Sequence, residues 1–200
     1  MSLHEPSFEV LFSYIESRSS LLLDDNDRRI IRQAFKQKYL RKRQYLLQEG
    51  DVCKYMAFVV KGAGRMYTIN ENGQEHIIRF AIESWWLGDE ESFRLGTPSI
   101  YTIEMTEDAE VLLVTKDNLD QLYDQVPAIT HMTHKIDRKR AIATQKRLQD
   151  AISLEAEQRY LRLEETYPEI VHRFPQAMVA SYLGISAETL SRVRKKLLQK

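Results

Sequence analysis

The chain has 200 residues, 43% of them apolar and 29% charged, and its formal net charge is zero. These values are those of a soluble globular protein with room for two small domains or one large one, and the single cysteine, Cys53, excludes an internal disulfide and any four-cysteine metal or iron–sulfur site. Because no apolar run could cross a bilayer and the N-terminus lacks a signal-peptide core, we expect a reduced, cytoplasmic protein with no membrane partner.

In the first part of the chain the sequence pattern changes from one typical of helices to one typical of strands. Residues 6–35 have apolar side chains at helical spacing and predict helices. Residues 37–115 contain short strand-like runs such as "YMAFVV", "HIIRFAI" and "EVLLV", separated by turn signals. The Asn72-Gly73 pair between two of these runs predicts a β-hairpin. Many short strands at regular spacing favour a β-roll over a parallel α/β sheet.

After Thr115 the sequence pattern is again typical of helices. "KDNLDQLYDQ" predicts a short helix, and Pro127 starts a longer one that reaches about Asp150. An apolar seam along this helix predicts a dimerisation surface, although Lys139 interrupts it, and the alternative is that the helix lies on its own β-roll. The predicted dimerisation residues are Ile129, Met132, Ile136 and Ala143.

The zero net charge conceals a segregation of charge along the chain. Residues 134–147 carry six bases and one acid, whereas residues 83–91 carry four acids and no base. Because a local patch sets the field that a partner meets, the neutral total does not argue against a nucleic-acid partner.

Residues 174–200 predict a pair of short helices. Gly184 ends the first helix, and Ser186 can cap the second. The second helix has one apolar stripe and an opposite polar, basic face, which is the pattern of a helix-turn-helix. An ordinary helical hairpin with a solvated charged face is the alternative. The apolar stripe is Leu190, Val193 and Leu197, and the opposite face carries Glu188, Ser191, Arg192 and Lys195.

This order of elements resembles the Crp/Fnr superfamily of bacterial transcription regulators, over about residues 36–200. "EGDVCKYMAFVVKGAGRMY" resembles the early strands of the family's roll, "WLGDEESF" its short Gly-Glu loop, and "GISAETLSRVRKKL" its recognition helix. The resemblance implies an α+β chain with a cyclic-nucleotide-binding-like β-roll sensor at 1–120, a connecting dimerisation helix at 121–150 and a DNA-binding helix-turn-helix at 151–200. It also implies a homodimer on a two-fold symmetric double-stranded DNA site, with RNA polymerase as a further partner.

The effector loop departs from the family pattern. Family members that bind a cyclic nucleotide supply an arginine for the phosphate and a glutamate for the ribose. Here Asp89 takes the glutamate place and Ser99 the arginine place, so we do not expect cyclic-AMP binding. No cofactor is predicted, and the effector is an unknown small molecule if one exists. The candidate effector residues are Trp85, Gly88, Asp89, Arg94, Ser99 and Ile100.

The recognition helix carries the predicted base contacts. Its Glu-x-x-Ser-Arg spacing matches the oxygen-regulator branch of the family, whose half-site resembles TTGAT. That match implies that Arg192 contacts a guanine, Glu188 a base amino group and Ser191 a thymine. Many members continue into a β-hairpin wing where this sequence ends, so we expect phosphate contacts from Lys195, Lys196 and Lys200.

Two other functions compete with DNA binding. One is a ligand-binding β-roll adaptor that acts through protein contacts. The other is a cupin-like enzyme, which needs two or three histidines and a carboxylate around a metal. His76 is the only histidine in the strand-rich region, so we predict no enzyme, no catalytic residue and no metal ligand.

Overall fold

The structure is a computed structural model that describes residues 5–199 and divides into two compact units. The first unit comprises the chain up to Met66 together with Ala81–Lys139. The second comprises Tyr67–Phe80 together with the chain from Arg140 onwards. The second unit therefore combines a hairpin from the strand-rich region with the C-terminal helices.

The strand-rich region is bordered by helices on both sides in the chain. Two four-stranded sheets have the orders β1-β8-β3-β6 and β2-β7-β4-β5. The elements up to the long helix are α1 Glu5–Ser19, α2 Asp25–Ala34, β1 Phe35–Leu40, β2 Tyr45–Leu47, β3 Met56–Lys61, β4 Gly64–Ile69, β5 Glu75–Ala81, β6 Trp86–Leu87, α3 Glu90–Leu95, β7 Thr102–Met105, β8 Ala109–Val114 and α4 Lys116–Gln125.

The core of the first unit includes nearly continuous buried apolar runs of β3 and β8. Phe58 of β3 and Leu112 of β8 are opposite each other in the antiparallel ladder, and both are fully buried. Gly62, between β3 and β4, has φ of 98°, and a Cβ there would lie 2.7 Å from the Cα of Ala109. This tight connection requires glycine for both its conformation and its lack of a side chain.

The predicted helix after Pro127 is present and is longer than expected. Helix α5 spans Pro127–Ser153, and the helices that follow are α6 Ala156–Thr166, α7 Pro168–Arg173, α8 Gln176–Leu183 and α9 Ala187–Leu197. The predicted α+β architecture, with a β-roll, a long connecting helix and a C-terminal helix-turn-helix, is thereby confirmed. Among the described residues, no helix combines the length and apolar character that a membrane span requires.

The turn between α8 and α9 follows from two residues. Gly184 has a left-handed φ of 66°, and its N–H donates to the carbonyls of Ala180 and Ser181. The hydroxyl of Ser186 then accepts the N–H of Thr189 at 3.1 Å, which caps the start of α9. Leu190 and Val193 of α9 are buried, 1% and 9% exposed, so the helix has a fixed inner and outer face.

Candidate nucleic-acid interface

Four of the five predicted DNA-binding residues share the outer face of α9. Glu188, Ser191, Arg192 and Lys195 are all exposed, and they recur at steps of three, one and three residues. Helical geometry places such positions on one side, opposite the buried Leu190. An exposed helix face with two bases, a hydroxyl and a carboxylate offers both donors and acceptors to base edges.

Glu188 lies in the first turn of α9 and is held in its charged form. The pKa of its carboxyl group lies below the ordinary value, first because its own backbone N–H donates to it and then because the Ser186 hydroxyl and the charge of Arg192 also favour the anion. A fully exposed carboxylate at this position is an acceptor only, so it suits a base amino group and repels a phosphate.

Arg192 is the base-reading candidate with the greatest donor capacity. Its Nη2 donates to the Thr189 hydroxyl at 3.3 Å, an exposed contact one turn back along α9. A planar guanidinium matches the two acceptors on the major-groove edge of guanine. Arg192 can therefore exchange a weak local contact for a bidentate one.

Lys196 differs from the other four predicted residues. Its Nζ lies 2.5 Å from Oε2 of Glu157 on α6, so it is ion-paired on the flank of α9. Lys195, one residue earlier, shares the outer face with Arg192, although both lysines are exposed. Lys200, the other predicted phosphate contact, lies outside the described residues.

Two arginines that the sequence did not suggest hold the helix-turn-helix together. Nη1 of Arg159 on α6 donates to the carbonyl of Leu183 at 2.8 Å, and Nη2 of Arg147 on α5 donates to the carbonyl of Tyr182 at 3.1 Å. Both cations meet the C-terminal end of α8, where helix carbonyls lack partners. No sequence signal identifies contacts between residues so far apart in the chain.

The loop predicted to hold the effector forms an internal hydrogen-bonded pair. The hydroxyl of Ser99 donates to Oδ2 of Asp89 at 2.7 Å, and the two residues are only 3% and 6% exposed. Asp89 also caps α3 by accepting the N–H of Glu91. At Gly88, a Cβ would lie 2.4 Å from the sulfur of Met56, so the loop is packed tightly against β3.

The remaining effector candidates do not converge on this pair. Arg94 is bound to Glu90 one turn earlier in α3, with Nε 2.6 Å from the carboxylate, and this hydrogen bond raises the pKa of its guanidinium. Ile100 is 63% exposed. Trp85 is half-buried, and its carbonyl accepts the N–H of Val59 at 2.9 Å. Among the described residues, no group of three or more potential ligands could hold a metal ion.

The residues predicted to form a dimer seam on α5 have unequal exposure. Ile129 and Met132 are 1% and 2% exposed in the single chain, so they pack within their own protomer. Ile136 is half-buried and Ala143 is exposed. The large apolar residues that remain exposed on α5 lie elsewhere: Ile142, Leu148 and Ile152.

The comparisons with known proteins agree with this architecture. Residues 37–126 match the cyclic nucleotide-binding domain family. An anaerobic regulatory protein from Aggregatibacter actinomycetemcomitans and one from Haemophilus influenzae are each 24% identical over 169 residues, which are 79% of this chain. The match spans 65% of the length of each of these relatives.

Solved structures show the same fold at low sequence identity. FixK2 from Bradyrhizobium japonicum is 19% identical with a TM-score of 0.66, covering 82% of this chain and 85% of its own. The c-di-GMP-responsive regulator CLP from Xanthomonas campestris is 16% identical with a TM-score of 0.66, covering 88% of this chain and 92% of its own. The chain thus shares the fold of these two proteins, with a cyclic-nucleotide-binding-type roll followed by a long helix and a helix-turn-helix.

Proposed function

We propose that the protein is a transcription regulator that binds a two-fold symmetric DNA site as a homodimer. The exposed face of α9, with Glu188, Ser191, Arg192 and Lys195, is the observation that carries the proposal. In helix-turn-helix proteins the second helix enters the major groove and its N-terminal residues contact base edges. The family resemblance adds RNA polymerase as a partner of the DNA-bound form.

The proposed base contacts follow from the chemistry of each side chain. Arg192 donates to O6 and N7 of one guanine, and Glu188 accepts from a base amino group. Ser191 contacts a thymine, and Lys195 binds a backbone phosphate. Lys196 is already ion-paired with Glu157, which offsets part of its charge, so we assign it a smaller share of the phosphate contacts.

We place the dimer seam on the exposed apolar side of α5. Ala141, Gln145, Leu148 and Ile152 are all exposed and follow one another at steps of four, three and four residues. This is the spacing of a two-helix seam, and Leu148 and Ile152 are 62% and 76% exposed in the single chain. A second copy covers these side chains, because a two-fold symmetric site needs a two-fold symmetric reader.

Selection of binding sites from random DNA tests the proposed function. The full-length protein should enrich a palindrome whose half-site contains a guanine, and we expect the half-site to resemble TTGAT. Binding should weaken steeply with salt, because each phosphate contact releases counterions. A selection that enriches no palindrome contradicts the proposed function.

Cyclic AMP is not expected to bind the roll. Ser99 takes the place of the family's phosphate-binding arginine and is hydrogen-bonded to Asp89, which takes the place of the ribose-binding glutamate; Arg94 is paired with Glu90. A phosphate buried there would lose its hydration without a charged partner. Isothermal calorimetry should give no binding heat at physiological cyclic-AMP concentrations. A micromolar dissociation constant that Asp89→Ala abolishes contradicts this prediction.

A further inference from the structure

Arg147 joins three elements of the second unit. Its Nη1 donates to the carbonyl of Ile78 on β5 at 2.7 Å, and its Nη2 donates to the carbonyl of Tyr182 on α8 at 3.1 Å. The guanidinium carbon also lies 3.9 Å from the centre of the Tyr182 ring. A planar guanidinium can donate to two carbonyls from separate nitrogens while its flat face lies on a ring. Arg147 therefore fixes α8 to the second half of α5.

Ser181 attaches the same helix to the hairpin. Its hydroxyl donates to the carbonyl of Glu75 at 2.9 Å and accepts the N–H of Ile77 at 3.0 Å. β5 is the last strand in its sheet order, so these backbone groups lie on a strand edge that needs partners. Phe80 of β5 adds ring contacts to Phe174 at 4.1 Å and to Tyr182 at 5.3 Å. One serine thus supplies both a donor and an acceptor to the strand edge.

A second attachment joins α6 to the C-terminal part of α5. Arg162 of α6 is ion-paired with Asp150 of α5. Only Leu154 and Glu155 separate the end of α5 from the start of α6. One attachment would leave α6–α9 free to pivot about this short joint, whereas two attachments fix their direction relative to α5.

We infer that Arg147 and Ser181 are positioning residues that set the half-site spacing of the DNA site. The inference rests on the proposed function, since spacing exists only for a dimer on two half-sites. By the 100° step of a helix, the proposed seam residues Leu148 and Ile152 lie about 100° and 140° around α5 from Arg147, so the seam and the Arg147 contacts use different sides of the helix. The contacts of Arg147 and Ser181 therefore link α8, and with it α9, to the two-fold axis.

The direction of α9 relative to that axis decides which spacing the dimer accepts. Two recognition helices of a dimer must reach major grooves about 34–36 Å apart, and one extra base pair changes this distance by about 3.4 Å. Neither Arg147 nor Ser181 belongs to the exposed face of α9. Their loss should weaken the preference for one distance between half-sites, while the bases read within each half-site stay the same.

The test uses the full-length protein and the palindrome obtained by site selection, rebuilt with spacers up to three base pairs shorter or longer. The parent protein should prefer one spacing. Arg147→Ala and Ser181→Ala should each reduce that preference by roughly fivefold, the worth of about one hydrogen bond in an equilibrium constant. Base preference within the half-site and the dimer dissociation constant should not change.

Two control variants separate positioning from loss of charge or of structure. Lys146→Ala removes the neighbouring exposed base of α5 and should keep the parent spacing. Ser181→Thr keeps the hydroxyl and should restore the spacing preference that Ser181→Ala loses. If both alanine variants prefer the parent's spacing as strongly as the parent does, the inference is wrong. It is also wrong if they lose base preference or dimerisation. If the parent selects no paired half-sites, the proposed function fails and the inference fails with it.

Discussion

Arg192→Ala should remove the preference for one guanine in each half-site. A bidentate arginine–guanine contact discriminates against the wrong base by about 1–3 kcal/mol, and alanine offers no donor to replace it. Because Arg192 is exposed and donates to the Thr189 hydroxyl one turn back in its own helix, the substitution should leave the fold intact. Site selection and competition binding with single-base variants measure the effect. An unchanged guanine preference would remove Arg192 from the base-reading set.

The lysines of α9 provide matched controls for this result. Lys195→Ala should weaken all sequences alike and lower the slope of log affinity against log salt by about one unit. Lys196→Ala should change the slope less, because Lys196 is ion-paired with Glu157 in the free protein. If the two lysine variants reverse this order, Lys196 rather than Lys195 makes the phosphate contact.

Leu148→Glu should dissociate the dimer. Burial of a leucine side chain is worth about 1.5–3 kcal/mol, and the dimer buries one copy from each protomer. Loss of both copies costs about 3–6 kcal/mol, which raises the dimer dissociation constant by roughly two to four orders of magnitude. The two introduced carboxylates also repel each other across the seam. Analytical ultracentrifugation measures this, and binding to the palindrome should weaken in parallel.

Ile136→Glu distinguishes the two proposed seams. The seam predicted from the sequence runs through Ile136, whereas the exposed apolar stripe runs through Leu148 and Ile152. If Ile136→Glu dissociates the dimer and Leu148→Glu does not, the seam follows the sequence prediction. A parent protein that is monomeric at micromolar concentration contradicts both seams.

The proposed dimer seam illustrates what helical periodicity alone leaves open. Ile129 and Met132 have the spacing of a dimer contact, yet they are buried within their own protomer. An apolar stripe indicates that one face of a helix is buried. It does not indicate whether the same chain or a second copy covers that face. Leu148 and Ile152 became candidates only after the structure showed which α5 side chains stay exposed.

The sequence predicted the effector loop only in part. The identities of Asp89 and Ser99 were enough to argue that the cation of a cyclic-nucleotide site is missing. Their mutual hydrogen bond joins residues ten positions apart, and it depends on how α3 and the following loop fold back. The pairing of Arg94 with Glu90, in contrast, is a contact within one helical turn.

The sequence by itself determined the features that depend on neighbouring residues. The Gly184 turn, the Ser186 cap and the buried stripe of α9 all arise from interactions within a few positions, so their residue types predict them directly. Only the tertiary structure showed which partner each basic side chain contacts, because the sequence does not distinguish these residues. Lys195 is exposed, Lys196 binds Glu157, and Arg147 reaches a carbonyl 69 residues away. Side-chain identity fixes what a cation can bind, whereas the packing of distant segments fixes which partner lies within reach.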